Sequence, residues 1–168
     1  GLLHDVGKIG IDDNVLRKAG RLTDAEFEHI KMHPELGHKI LADIKQLSDV
    51  LPVVLHHHEQ WDGKGYPRGL RREQMSVQAR GLGIADICGA LTARDRPYKR
   101  GKTLSESLHI LGKFRLGGHI DPDLFDVFVR EKVYLKYAEK FLDPEQIDEV
   151  DESKIPGYMD RDVAAQQH

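Results

Sequence analysis

Hydrophobic positions along this chain fall mostly at helical spacing. Thr23 and Glu26 form a capping-box pattern that opens a helix running to about Met32. His33-Pro34 interrupts it, and Pro34 suits the first turn of a following helix. There Leu36, Ile40, Leu41 and Ile44 make one apolar stripe. Val50 to Glu59 reads as an apolar helix ending in His56, His57 and His58. Val77 to Thr92 is a helix rich in Ala, Leu and Ile, with Asp86 inside it. Leu104 to Phe114 and Pro122 to Val129 follow, the second with Leu124, Phe125, Phe128 and Val129 as its core face. Val133 to Leu142 is amphipathic. Leu2 to Lys8 reads as the end of a helix that stops in the Gly7 to Gly10 region. The chain is therefore expected to begin inside a helix and to be a piece of a longer protein. No stretch alternates with period two, so the expected fold class is all-α, a helical bundle.

Two loops interrupt this pattern. Asp62 to Leu70, "DGKGYPRGL", carries three glycines and a proline and must be structured. "RDRPYKRGK" is basic. From Asp143 the chain turns acidic and then polar. The expected organisation is one domain over 1–142 and a tail over 143–168, with the last dozen residues frayed.

Composition narrows the classes. The 168 residues are enough for one domain with a real core, and the net charge of -3 excludes a broad basic face for polymeric nucleic acid. A small anionic ligand held by a few local cations stays open. The single cysteine, Cys88, rules out an intramolecular disulfide and fits a reducing compartment. No apolar run reaches the length of a membrane span, so cytoplasm is the expected location and no membrane contact is expected of this segment.

Chemistry is concentrated in the histidines, ten in all, most beside Asp, Gly or Pro. His4 and Asp5 are adjacent ligand-type side chains between apolar neighbours, where an ionised Asp needs a partner. With His33, His57, His58 and Asp86 they form a nitrogen and oxygen set without cysteine. Such a set suits Mn, Fe, Ni or Zn rather than a structural thiolate site. Six candidates exceed the needs of one ion and suggest two or more, which together can activate a water and neutralise a phosphoryl oxygen. Each element also has a plain reading: a surface His-Asp pair, a solvated helix end, a cap at His33, an ion-paired Asp86. It is their joint occurrence that points to metal. His29, His38, His109 and His119 lack such context, and His56 is ambiguous.

"HDVGKIG", "MHPELG", "HHEQWDGKGYPRGL" and "ARGLGIADICGALTARDRPYK" occur in that order. In these motifs the chain resembles an HD-GYP domain, a branch of the HD phosphohydrolases, with family-like sequence continuing through "GHIDPDLFDVF" to about Leu142. The resemblance implies an all-helical bundle holding two or three divalent metal ions, iron or manganese, and hydrolysis of cyclic di-GMP to pGpG and in some members to GMP. Carried over by motif, His4, Asp5, His33, His57, His58 and Asp86 would be metal ligands, with Asp5 as the bridge. Lys8 would be a catalytic cation beside the scissile phosphate. Tyr66, Arg96 and Lys99 would contact substrate. The GYP loop would also meet diguanylate cyclase (GGDEF) domains, and an upstream sensor or receiver domain would control the output. In two respects the chain departs from the pattern. The family takes a further ligand from a helix upstream of the HD motif, and Gly89 stands where an acidic residue is expected. The resemblance leaves two other functions open: a module that binds cyclic di-GMP or a cyclase without turnover, and an HD hydrolase of another cyclic dinucleotide.

Overall fold

The computed structural model describes residues 2–94 and 100–160. It divides into two compact units, residues 1–83 and 84–168. Among the described residues the elements are helical, apart from an isolated bridge between Asp62 and Arg71. The all-α expectation holds. No described helix is long and apolar enough to cross a membrane.

The first unit starts with a 3-10 turn, Val6–Gly10. It continues with α1 (Asp13–Leu16), α2 (Asp24–Ile30), α3 (His33–Leu41), α4 (Leu51–His56) and the start of α5 (Val77–Thr92). The Thr23–Glu26 capping box that the sequence predicts is formed, each side chain satisfying a backbone N–H of the other. Pro34 occupies the first turn of α3, where its missing N–H costs nothing. Ile11, Leu41, Val54, Leu55, Met75 and Ala79 are the unit's buried apolar residues.

The opening stretch is not the helix end that was expected. Its N–H groups bond three residues back, Val6 to Leu3, Lys8 to Asp5 and Ile11 to Lys8, which makes a tight turn instead. Gly7 explains why. A Cβ on Gly7 would overlap the carbonyl oxygen of His33 and lie 2.5 Å from the Gly37 nitrogen. Only a residue without a side chain lets this turn lie directly on α3.

The second unit contains the rest of α5, then α6 (Leu104–Leu116), α7 (Pro122–Arg130) and α8 (Val133–Phe141). Its core joins Ile84, Cys88, Leu104, Leu108, Leu111, Phe125, Val129 and Tyr134, among others. Asp121 caps α7 by accepting from Asp123 and Leu124, ahead of Pro122. Residues 143–160 do not hang free, as their composition suggests. Ile155 is buried in the core. Gln146 is buried and donates to the carbonyls of Thr92 and Lys102 at 2.9 and 3.1 Å. Tyr134 donates to Glu152 at 2.8 Å, and Ser105 pairs with Asp148.

Candidate metal centre

The 3-10 turn, the start of α3 and the end of α4 place four side chains together. Asp5, His33, His57 and His58 each offer a ligand atom, and these atoms all lie within 4.8 Å of one another. Gly7 sets the approach of Asp5, because the turn that carries it rests on the His33 backbone. His33 sits at the start of α3 and His57 just past the end of α4, both fully buried.

Two hydrogen bonds fix the rings of His33 and His57. His33 Nδ1 donates to the Ile30 carbonyl at 2.7 Å, and His57 Nδ1 donates to the Val54 carbonyl at 2.8 Å. A carbonyl only accepts, so each ring carries its proton on Nδ1 and in the neutral form presents a bare lone pair on Nε2. Those two Nε2 atoms face each other at 3.3 Å. Asp5 Oδ1 stands 3.4 Å from one and 3.7 Å from the other. This Oδ1 is buried and has no hydrogen-bond partner. Two lone pairs and a carboxylate oxygen converge on one point and repel one another unless a cation lies among them. The carbonyl-bound Nδ1 and ligating Nε2 arrangement is the usual support of a metal-binding imidazole.

On its other oxygen, Asp5 pairs with Lys8 Nζ at 2.9 Å and with His4 Nε2 at 3.4 Å. Burial opposes the charge of Asp5, but donation from the His33 and His57 rings, when these carry a second proton on Nε2, and from the Lys8 ammonium outweighs it. Its carboxyl is held far below the usual range. The His58 ring lies 4.2 Å from that of His57 and 4.9 Å from that of His33. Burial, with the nearby His57 and His33, pushes its pKa down to about 3. His58 is therefore neutral at pH 7, with a lone pair available for a metal. Hard carboxylate oxygen and borderline imidazole nitrogen, in a pocket without thiolate, fit a divalent transition metal. The donor set of Asp5, His33, His57 and His58 is suited to hold one.

The GYP loop is built onto the same place. Glu59, buried, accepts from the N–H groups of Arg68 at 2.7 Å and Leu70 at 2.9 Å. A Cβ on Gly65 would collide with the backbone of residues 58–60, so the loop closes directly on the segment carrying the histidines. Tyr66 N–H bonds the His58 carbonyl at 3.2 Å, and its ring stacks on the His58 ring at 4.9 Å and 19°.

Of the residues singled out in the sequence, His4, Asp5, Lys8, His33, His57, His58 and Tyr66 are gathered in the first unit. Asp86 lies half-buried on α5, in the second. Arg96 and Lys99 lie outside the described residues. Sequence reasoning missed Glu59. The available signal was an acidic residue directly before a glycine-rich loop, whose turning backbone needs acceptors for its N–H groups.

Comparison with known proteins adds the following. The HD domain family model matches residues 1–124. The chain is 45% identical over 131 residues, 77% of its length, to a cyclic di-GMP phosphodiesterase of Pseudomonas aeruginosa, covering 31% of that protein. It is 38% identical over 136 residues, 80% of its length, to a cyclic di-GMP phosphodiesterase response regulator of Xanthomonas campestris, covering 35% of it. It is 36% identical over 130 residues, 77% of its length, to a 3'3'-cGAMP-specific phosphodiesterase of Vibrio cholerae, covering 30% of it. The chain thus spans about a third of the length of the curated relatives it matches.

Proposed function

This chain belongs to the HD domain family, and from that premise we propose that it is the catalytic part of a metal-dependent phosphodiesterase that opens cyclic di-GMP to linear pGpG. The observation that carries the reading is the convergence of His33 Nε2, His57 Nε2 and the buried, unpartnered Asp5 Oδ1. The names of the relatives supply the substrate class.

Two or three divalent ions, iron or manganese, would be held by His4, Asp5, His33, His57 and His58; Asp86 is added on the sequence resemblance alone. When bound, the ions supply Lewis acidity toward phosphoryl oxygen and lower the pKa of water. The chain's own groups do the rest. Nδ1–H bonds to the Ile30 and Val54 carbonyls keep two imidazoles aimed. Lys8 is half-exposed and paired with Asp5 at 2.9 Å, which puts its ammonium at the edge of the centre, where it would stabilise charge growing on a phosphoryl oxygen. Arg96 and Lys99 would grip phosphate or guanine, Arg through its planar fork and Lys as a point charge. Tyr66 borders the same centre, where it would also contact substrate. A GGDEF domain at the GYP loop is the partner this reading favours. The response-regulator relative supports a receiver domain as the source of control.

A second substrate is supported by the cGAMP-specific relative. One experiment separates the readings. The protein is loaded anaerobically with Fe(II) or Mn(II), offered cyclic di-GMP and 3'3'-cGAMP in parallel, and the products are resolved by chromatography. Metal-dependent pGpG release, faster than cGAMP opening, is the expected result. Preference for cGAMP would transfer the assignment, and bound metal with no turnover of either would leave a binding module.

A further inference from the structure

The three histidines of the cluster are not supported alike. His33 and His57 are each oriented by an N–H···O=C bond. Among the described residues no hydrogen bond to the His58 ring is formed; its ring packs against those of His33, His57 and Tyr66. The stack on Tyr66 is the flattest of these contacts, at 19°. Tyr66 is tied through its backbone N–H to the His58 carbonyl. That bond fixes the main chain and leaves the side-chain torsions to be set by what the ring touches.

Part of what it touches comes from α2. Phe27 meets Tyr66 edge to face, with centroids 6.3 Å apart at 82°. Lys31 places its ammonium 5.0 Å from the Phe27 centroid and 5.8 Å from the Tyr66 centroid. Glu28 holds that ammonium at 2.6 Å. Both geometries are attractive: the positive ring edge of one aromatic faces the π-cloud of another, and a cation lies over both faces. Phe27 is 45% exposed, so it contributes little to a core and its truncation leaves the unit folded.

We propose that Phe27 and Lys31 are positioning residues for the metal centre: they hold the Tyr66 ring against His58 and thereby aim the one imidazole of the cluster that has no hydrogen-bonded support. This rests on the reading of the cluster as a metal centre. In the wider logic of metal sites, the groups behind a ligand fix its direction. For His33 and His57 that group is a carbonyl; for His58 it is an aromatic ring with a second helix behind it.

The test uses the whole chain and two readouts. Histidine side-chain NMR of the metal-free protein reports the stack directly, because the Tyr66 ring current displaces the His58 ring protons upfield. Competition with a chelator for Mn(II) reports the consequence. Phe27→Ala is expected to move the His58 signals toward their ordinary position and to weaken Mn(II) binding about 3- to 10-fold, the loss of one aromatic pair. Lys31→Ala is expected to do the same more weakly, about 2- to 5-fold. Phe27→Tyr and Lys31→Arg should restore both readouts, and Glu28→Gln should leave the stack in place. Unmoved His58 signals in Phe27→Ala would overturn the proposal, and so would unchanged Mn(II) affinity despite moved signals. A wild-type protein that takes up no Mn(II) would overturn the metal reading instead, while the NMR comparison would still decide whether α2 sets the ring.

Discussion

Replacing Gly7 with alanine should disable the centre through a single methyl group that touches none of the ligating atoms. The added Cβ would overlap the His33 carbonyl oxygen and lie 2.5 Å from the Gly37 nitrogen. Relief of that overlap requires the 3-10 turn to retreat from α3 by roughly 1.5–2 Å, since non-bonded heavy atoms settle about 3.5 Å apart. Neither obstacle is the end of a flexible side chain; both are helix backbone. Overpacking of this kind costs about 1–3 kcal/mol. For a chain of this size that corresponds to a fall of roughly 2–12 °C in Tm. The same retreat carries Asp5 away from His33 and His57, now 3.4 and 3.7 Å from its Oδ1. Metal sites tolerate about 0.2 Å, so a displacement of roughly 1.5–2 Å should lower metal affinity by at least about 10- to 100-fold, the loss seen when an outer partner alone is removed. The control is Gly81→Ala inside α5, where a Cβ meets nothing within 4 Å. That change should raise stability by about 0.5–1 kcal/mol through helix propensity. Thermal unfolding and bound-metal analysis of both variants check the reasoning. A Gly7→Ala protein that matches Gly81→Ala in Tm and metal content would refute it.

Four further outcomes are expected. Lys8→Ala should keep its metal and lose about two to three powers of ten in turnover; unchanged rates in a steady-state assay would remove Lys8 from the chemistry. The metal-free protein should lose stability in acid. Burial holds the folded pKa of His58 at about 3, below the ordinary imidazole value of 6.5, so the unfolded chain binds that proton first and stability falls progressively as pH drops from about 6.5 to 3. Asp5, also depressed, adds a loss of the same sign below its ordinary range. With a ceiling of about 5 kcal/mol from His58, urea midpoints at pH 7 and pH 4 should differ clearly, and equal midpoints would contradict the buried neutral ring. Glu59→Ala leaves the Arg68 and Leu70 N–H groups without their acceptor, which should cost about 2–3 kcal/mol and make the GYP loop sensitive to limited proteolysis at pH 7. Arg115→Ala strands Asp126, which is 3% exposed and held at 3.0 and 2.9 Å; a loss of about 3–5 kcal/mol in urea unfolding is expected, and a loss under 1 kcal/mol would count against the pairing.

The chemistry was more legible in the sequence than the backbone that presents it. His4, Asp5, His33, His57, His58 and the GYP loop announce themselves as residue types in an improbable order, and the structure gathers them. Local rules also worked where the determinants are local: the Thr23–Glu26 box and Pro34 each need only their own neighbours. The 3-10 turn at Val6–Gly10 looks like a helix end in sequence, because its shape follows from how closely Gly7 can lie on α3, a contact some thirty residues away in the chain. The acidic and polar composition over 143–168 looks like a solvated tail. Asp148, Glu152 and Gln146 instead find acceptors and donors on α6, on α8 and at the ends of the 93–101 stretch. No periodicity in one segment encodes partners in another. Glu59 escaped for the same reason, since its worth lies in two N–H groups nine and eleven residues on.

The most direct measurement is an anomalous-difference map from a crystal of the full chain grown anaerobically with Mn(II). The account predicts a metal peak at the point where His33 Nε2, His57 Nε2 and Asp5 Oδ1 converge, lost in Asp5→Ala. Full Mn(II) in solution with no peak among those three atoms, or a peak that survives Asp5→Ala unchanged, would contradict it.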